Sequence, residues 1–462
     1  MADAAGRARG TRPEQQASRR QGERPRHPTR PTRIGGRGHP GRRRRSAPAR
    51  RLEDVVTRRR LNNSVAVALC SAAAIAFAAA CGNASKPAAK TGQAARKQAK
   101  IQRALDRLTT TEAPGAIALV RDGNRTIRLT SGYGDAEKKT PIRASDRFRI
   151  GSVTKTFVAT VALQLVGEGR LGLGDTIERW LPGLVPNGSN ITVRELLNHT
   201  SGLFDVANDQ GFIARVLWKR TEPWTPRGLV RIATAHRPLF APGTTWSYSN
   251  TGYILLGLIV EAASGKPIQT ELDQRIFRPL HLRATSFASS PHITGTYAHG
   301  YLPLDGSRPR DASVFGQSST WAAGAIVSTA DDLATFYRAL LRGRLLSPRL
   351  LRAMETTVPV AEDPHGGGSG LGLFETGLSC GRVWGHEGTA FGYKTIAYSS
   401  RDATRQIVVM VNDSPPPPMV ANALERLVDT AYCGGSRLRG KSPKGGAGHK
   451  TGYAARISFV RK

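Results

Sequence analysis

Between residues 101 and 433 the chain reads as strands, then a long helical middle, then strands again and a closing helix, and this order restricts the fold more than any other feature. Residues 101–112 have the spacing of a short amphipathic helix. APGAIALVRDGNRTIRLTSGYG then reads as two strands around Asp122-Gly123-Asn124, a hairpin turn signal. From Ser152 the period changes, with Phe157, Val161 and Leu165 recurring every four residues, until Gly167 and Gly169 stop the helix. Further helical segments such as TVRELLNHTSG and TGYILLGLIVEAASG follow, separated by Pro- and Gly-rich loops. KTIAYSS and RQIVVMVND flank Arg401-Asp402-Ala403-Thr404 as a second hairpin, and ALERLVDTAY reads as the last helix. The pattern predicts an α+β fold, an α/β-type sandwich. An antiparallel β-sheet built from both ends of the domain is flanked by helices, with a mainly helical subdomain inserted. No solenoid-type repeat is present.

The formal net charge of +34 first suggests a nucleic-acid partner. Its placement argues against one. Residues 1–60 carry +14, residues 61–100 carry +5 and residues 434–462 carry +8, which leaves only +7 for residues 101–433. The basic ends do not form the domain. Residues 1–56 are rich in Arg, Pro and Gly without an apolar period, and read as a disordered extension or an untranslated leader. Residues 434–462 read as a disordered basic tail, and residues 82–100 as a flexible linker.

Residues 57–81 have the layout of a signal peptide. Arg58, Arg59 and Arg60 form the positive start, and an apolar stretch runs from about Val65 to Ala80. That stretch falls short of the roughly 20 apolar residues a membrane-spanning helix needs; the alternative is a buried core helix. It ends Ala78-Ala79-Ala80-Cys81, which fits either a lipobox, with Cys81 lipidated, or an ordinary small-residue cleavage site. Both readings place the mature chain outside the cytoplasm, secreted or attached to a membrane through Cys81. Of four cysteines only Cys380 and Cys433 then remain in the folded region. In an oxidising compartment they suggest a disulfide, the alternative being two separate buried thiols.

Three short segments can carry chemistry. In Ser152-Val153-Thr154-Lys155 the spacing puts Ser and Lys one helical turn apart on one face. A serine hydroxyl is a poor nucleophile until a base takes its proton, and a lysine can do so only if burial or nearby charge lowers its pKa. Tyr248-Ser249-Asn250 lies between a turn and a helical run; Tyr248 can relay a proton, and Asn250 can hold a substrate amide and the lysine ammonium. His386-Glu387-Gly388-Thr389 opens a strand in which a Gly permits close approach, and the Thr389 N–H can join the Ser152 N–H as an oxyanion hole. Each segment alone has a plainer reading: an N-capping Ser before a solvated Lys, a turn before a helix, a Gly-rich strand edge. No His-Glu-x-x-His helix or Cys-x-x-Cys pair calls for a metal, and no cofactor is expected.

Together the three segments are far more specific. Ser-x-x-Lys, then Tyr-x-Asn, then a His-x-Gly triplet resembles the serine β-lactamase and penicillin-binding protein superfamily, in particular the secreted D-alanyl-D-alanine carboxypeptidases of its class C-like branch. The resemblance extends over about residues 105–435, through RIGSVTKTFVATVALQLVGEGRLGLGDTIERWLPGL, ITVRELLNHTSGL, RPLHL, AHGYL, AGAIVSTADDLATF and LSCGRVWGHEGTAFGY. It implies a β-lactamase/transpeptidase-like fold and a monomer. It implies Ser152 as nucleophile, with Lys155 and Tyr248 as proton-transfer groups. It also implies Asn250, Trp321, His386, Gly388 and Thr389 around the substrate, and a Cys380–Cys433 disulfide. The activity implied is that of a D,D-carboxypeptidase on cell-wall stem peptides, acylated by β-lactams, with a carboxylesterase or β-lactamase as the runner-up. A non-catalytic surface-binding module is the reading from another class. Two positions depart from the carboxypeptidase pattern. Glu387 stands where that branch has Thr, and Phe374 where it has an Arg for the substrate's terminal carboxylate. Both changes predict a weaker preference for a free carboxylate, Glu387 by adding like charge to the cleft.

Overall fold

The computed structural model describes residues 86–111, 113–302, 309–413 and 418–434. The proposed basic extension, the signal segment with Cys81, and the tail beyond Gly434 lie outside the described residues.

Among the described residues the main sheet has nine strands, all antiparallel. In chain order they are β1 Gly115–Asp122, β2 Arg125–Asp135, β3 Thr140–Pro141, β4 Val358–Pro359, β5 Gly368–Ser369, β6 Phe374–Leu378, β7 Gly381–Ala390, β8 Tyr393–Ser399 and β9 Arg405–Val411. Their spatial order is β3-β2-β1-β9-β8-β7-β6-β5-β4. The first and last parts of the domain therefore meet at β1 and β9, where Ala116 pairs with Val411 and Asp122 with Arg405. Both expected hairpins are present. Asp122 pairs with Arg125 around Gly123, which adopts φ +60° as the two-residue turn requires. Ser399 pairs with Gln406 across the second turn.

Alternation along the strands separates two apolar layers. Ile117, Leu119, Val408 and Met410 face the helical subdomain. Ala116, Ala118, Ile407 and Val409 face helix α1 (Lys86–Thr111) and the last helix. On the subdomain side α2 (Thr154–Gly167) is buried along every residue from Thr154 to Leu163, as expected of a helix that is apolar all round. It packs against α6 (Asn250–Ser264). The inserted region also holds α3 (Val193–Leu197), α4 (Gln210–Trp218) and α5 (Pro226–Thr234), and is followed by α7 (Ala330–Leu341). The closing helix, α8 (Pro418–Cys433), lies on the outer face against α1.

One boundary differs from expectation. Residues 86–100, read as part of a linker, are the first turns of α1. Their Ala, Lys, Gln and Arg are strong helix formers as well as linker residues, and Pro87 sits in the first turn, where a missing N–H costs nothing. Ile101, Leu105 and Leu108 anchor the C-terminal half in the outer layer and nucleate the rest. Among the described residues no helix is long and apolar enough to cross a membrane. Cys380, at the β6–β7 turn, is disulfide-bonded to Cys433 at the end of α8.

Candidate active site

Ser152 sits in a 3-10 turn, Gly151–Val153, that runs straight into α2. This turn is pressed against β7. Gly151 has φ +50°, and a Cβ there would overlap the carbonyl oxygen of Thr389. A Cβ on Gly388 would overlap the carbonyl oxygen of Ile150 and reach within 3.1 Å of the Ser152 nitrogen. Glycine at both positions is what lets the backbones meet. The backbone nitrogens of Ser152 and Thr389 consequently lie beside one contact, where an oxyanion hole needs its donors. The pairing of β7 also leaves room for substrate. β6 pairs only with Gly381–Gly385, so His386–Ala390 has no partner strand on that side among the described residues.

One turn on from Ser152, at the start of α2, Lys155 is fully buried. Its Nζ donates to Ser152 Oγ at 3.1 Å, Asn250 Oδ1 at 2.8 Å and the Ala323 carbonyl at 2.8 Å. All three acceptors are neutral. Burial drives its pKa down to about 7, partly opposed by Asp205. A lysine that is half neutral near pH 7 can take a proton from the hydroxyl it touches. The Tyr248 ring lies 4.9 Å from the same Nζ, and Tyr253 5.5 Å away. Tyr248 reaches the site because Ser249 caps α6, accepting from the Gly252 N–H, and Asn250 begins that helix. Ser152, Lys155, Tyr248 and Asn250, scattered over about a hundred positions, thus converge.

His386 is 4% exposed, and burial together with Lys155 lowers its pKa to about 3, so the ring is neutral. Its Nδ1 bonds the Glu387 carbonyl at 2.5 Å. Trp321 opens a turn, Trp321–Ala323, with φ +37°. Its indole packs over Gly257 of α6, and the turn delivers the Ala323 carbonyl to Lys155.

The two departures from the carboxypeptidase pattern part company here. Glu387 does not charge the cleft. Its register opposite Ile396 turns it to the outer face, where Lys394 Nζ meets it at 2.6 Å and the Tyr398 hydroxyl at 2.7 Å. A one-residue step along a strand reverses the face, so this part of the expectation is wrong. Phe374 does face the site: its ring centroid is 4.9 Å from His386 and 6.0 Å from His199.

Two site residues had not been singled out from sequence. His199 has φ +65°, and its Nδ1 accepts the Ser249 N–H at 3.1 Å, which puts the ring proton on Nε2. The ring stacks on Tyr248 at 4.4 Å, and burial holds it well below an ordinary histidine pKa. Asp205, 3% exposed, accepts from Asn250. Both lie in NHTSGLFD, whose only local signal is a turn; nothing in the spacing links it to residues 248–250.

A serine turned toward a buried lysine, a tyrosine over the ammonium, and an open strand beside them on an antiparallel sheet define a serine hydrolase of the β-lactamase and penicillin-binding protein superfamily. The chain belongs to the Beta-lactamase family, whose model matches residues 99–432. A solved D-stereospecific amidohydrolase from Streptomyces sp. superposes with a TM-score of 0.68 at 39% identity, covering 73% of this chain and 99% of that one. A penicillin-binding protein of Bacillus subtilis (strain 168) is 27% identical over 312 residues, 64% of this chain and 68% of its own length. Esterase EstB of Burkholderia gladioli is 36% identical over 191 residues, 38% of this chain and 47% of its own length.

Proposed function

We propose that this chain hydrolyses amide or ester bonds through an acyl-enzyme on Ser152. The observation that carries the reading is the 3.1 Å contact between Ser152 Oγ and the Nζ of a buried lysine whose pKa is about 7. Ser152 loses its proton to Lys155 or Tyr248 as Oγ bonds to the carbonyl carbon, and the N–H groups of Ser152 and Thr389 hold the oxyanion. The C–N or C–O bond then breaks as the leaving amine or alcohol takes a proton from Tyr248, which recovers it from Lys155 where Lys155 was the base. Water resolves the ester and returns Ser152.

The leaving group in this reading bears no free carboxylate. Phe374 offers an apolar ring where a carboxypeptidase would need a cation, and the nearby His199 and His386 are neutral. The name of the Streptomyces relative supports a D-configured acyl donor, and EstB supports esters. A D-amino-acyl amidase and esterase therefore fits better than a carboxypeptidase on stem peptides. The Cys380–Cys433 disulfide supports work outside the cytoplasm.

The test is covalent labelling with a fluorescent penicillin or fluorophosphonate, with mass mapping, in wild type and Ser152→Ala. A label that persists in Ser152→Ala sinks the proposal. Among substrates, D-phenylalanine amide and its p-nitroanilide should turn over at least about tenfold faster than a peptide ending in free D-Ala-D-Ala. The reverse order restores the carboxypeptidase reading.

A further inference from the structure

Lys155 directs its three donors to neutral oxygens, yet a carboxylate stands one residue behind it. Asp205 accepts the Asn250 side-chain Nδ2 on both oxygens, at 2.9 and 3.2 Å, and the Asn250 backbone N–H at 3.1 Å. It also caps the Val206–Asn208 turn through the Ala207 N–H at 3.1 Å. The loop is tied to α6 independently: Thr251 Oγ1 donates to the Phe204 carbonyl at 2.8 Å and accepts the Val206 N–H at 3.0 Å. An asparagine amide has two nearly isosteric ends, one donating and one accepting. A carboxylate only accepts, so it takes the NH2 end and leaves the oxygen for the ammonium. Without it the amide is free to turn its own donors toward Lys155.

We propose that Asp205 is a positioning residue of the acylation machinery, turning the Asn250 amide so that its oxygen receives Lys155 and placing a negative charge behind that ammonium. The proposal rests on the Ser152–Lys155 reading for its catalytic meaning, but its physical content concerns Lys155 alone. Of the other titratable groups around Lys155, burial raises the Tyr253 pKa and keeps His199 and His386 neutral, so none of these three supplies an anion near neutrality. Asp205 is the group that opposes burial in keeping Lys155 protonated; burial raises the Asp205 pKa, and the Ala207 N–H and Lys155 oppose that rise by favouring the carboxylate. With Asp205 behind it, the lysine changes charge near neutral pH.

The experiment follows lysine 13Cε signals by NMR through a pH titration of the whole protein, with Lys155→Arg to assign the resonance. Asp205→Asn should lower the Lys155 midpoint by about one unit or more, as loss of an opposite charge at this range does. Asp205→Glu should restore most of it. The acidic limb of the pH profile for Ser152-dependent hydrolysis of a p-nitrophenyl ester should move by the same amount. If Asp205→Asn does not fold, Asp205→Ser, which keeps an acceptor for the Ala207 N–H, carries the comparison. A midpoint that moves by less than about 0.3 unit, roughly 0.4 kcal/mol, with only thermal stability reduced, overturns the proposal and leaves Asp205 a turn cap. A shifted lysine without Ser152-dependent turnover keeps the proposal and sinks the hydrolase reading.

Discussion

The Lys155 ammonium touches no anion among the described residues, and its chemistry follows from that. Below a pKa of about 7 it is protonated and cannot accept the Ser152 proton. The rate of Ser152 acylation should therefore rise about tenfold per pH unit below that point and level off above it, which stopped-flow labelling at constant ionic strength measures. Lys155→Arg keeps a donor for Asn250 but never deprotonates; acylation should fall by more than about a hundredfold while the fold persists by circular dichroism. Phe374 sets the other side of the site. Phe374→Arg should raise turnover of a free-carboxylate peptide relative to its amide by about tenfold or more, the effect expected of one new charge-assisted bond. An unchanged ratio would mean that Phe374 does not touch the leaving group.

The β6–β7 hairpin holds this side of the site, and it is secured twice. At its tip the Cys380–Cys433 bond ties it to α8 across a sequence separation of 53, with Ser379 held by Asp429 beside it. In the chain-entropy model a loop of that length is worth about 4 kcal/mol; Cys380→Ser with Cys433→Ser should lose about that much in urea unfolding. At its other end β7 carries the glycine contact with the nucleophile turn. Gly388→Ala should separate Ser152 from β7 and abolish labelling, whereas the same change at Gly174, where a Cβ meets nothing within 4 Å, should leave it intact. The elements themselves were largely readable. The hairpin at Gly123, the helix after Ser152 and the closing helix all declare themselves through turn residues and period. The extension of α1 back to Lys86 was not readable, because an Ala- and Lys-rich stretch suits a tether and a helix equally until Ile101 and Leu105 dock.

For the molecule as a unit, placing ionisable groups between sheet and helices links stability to pH. Unfolded Lys155 titrates near 10.5 and folded Lys155 near 7, so between those values the unfolded chain holds the extra proton and stability rises with pH. His386 titrates near 6.5 unfolded and about 3 folded, so its contribution is lost as pH falls through that window. Urea midpoints measured from pH 4 to pH 10 should show Lys155→Met removing slope above pH 7 and His386→Gln removing slope below pH 6.5. Parallel curves for wild type and both variants would mean that neither group is as buried as the structure has it.

Local physics, acting within a few residues, was legible without coordinates: Ser and Lys on one helical face, the cap before α6, the two hairpins, and a strand carrying glycine where backbones must touch. Contacts between distant segments were not. That Asp205 stands behind Asn250, that His199 stacks on Tyr248, and that Glu387 leaves the cleft while Phe374 faces it depend on register and docking. Those are set by how whole layers bury their apolar faces, a sum over many residues in which no single side chain announces its partner.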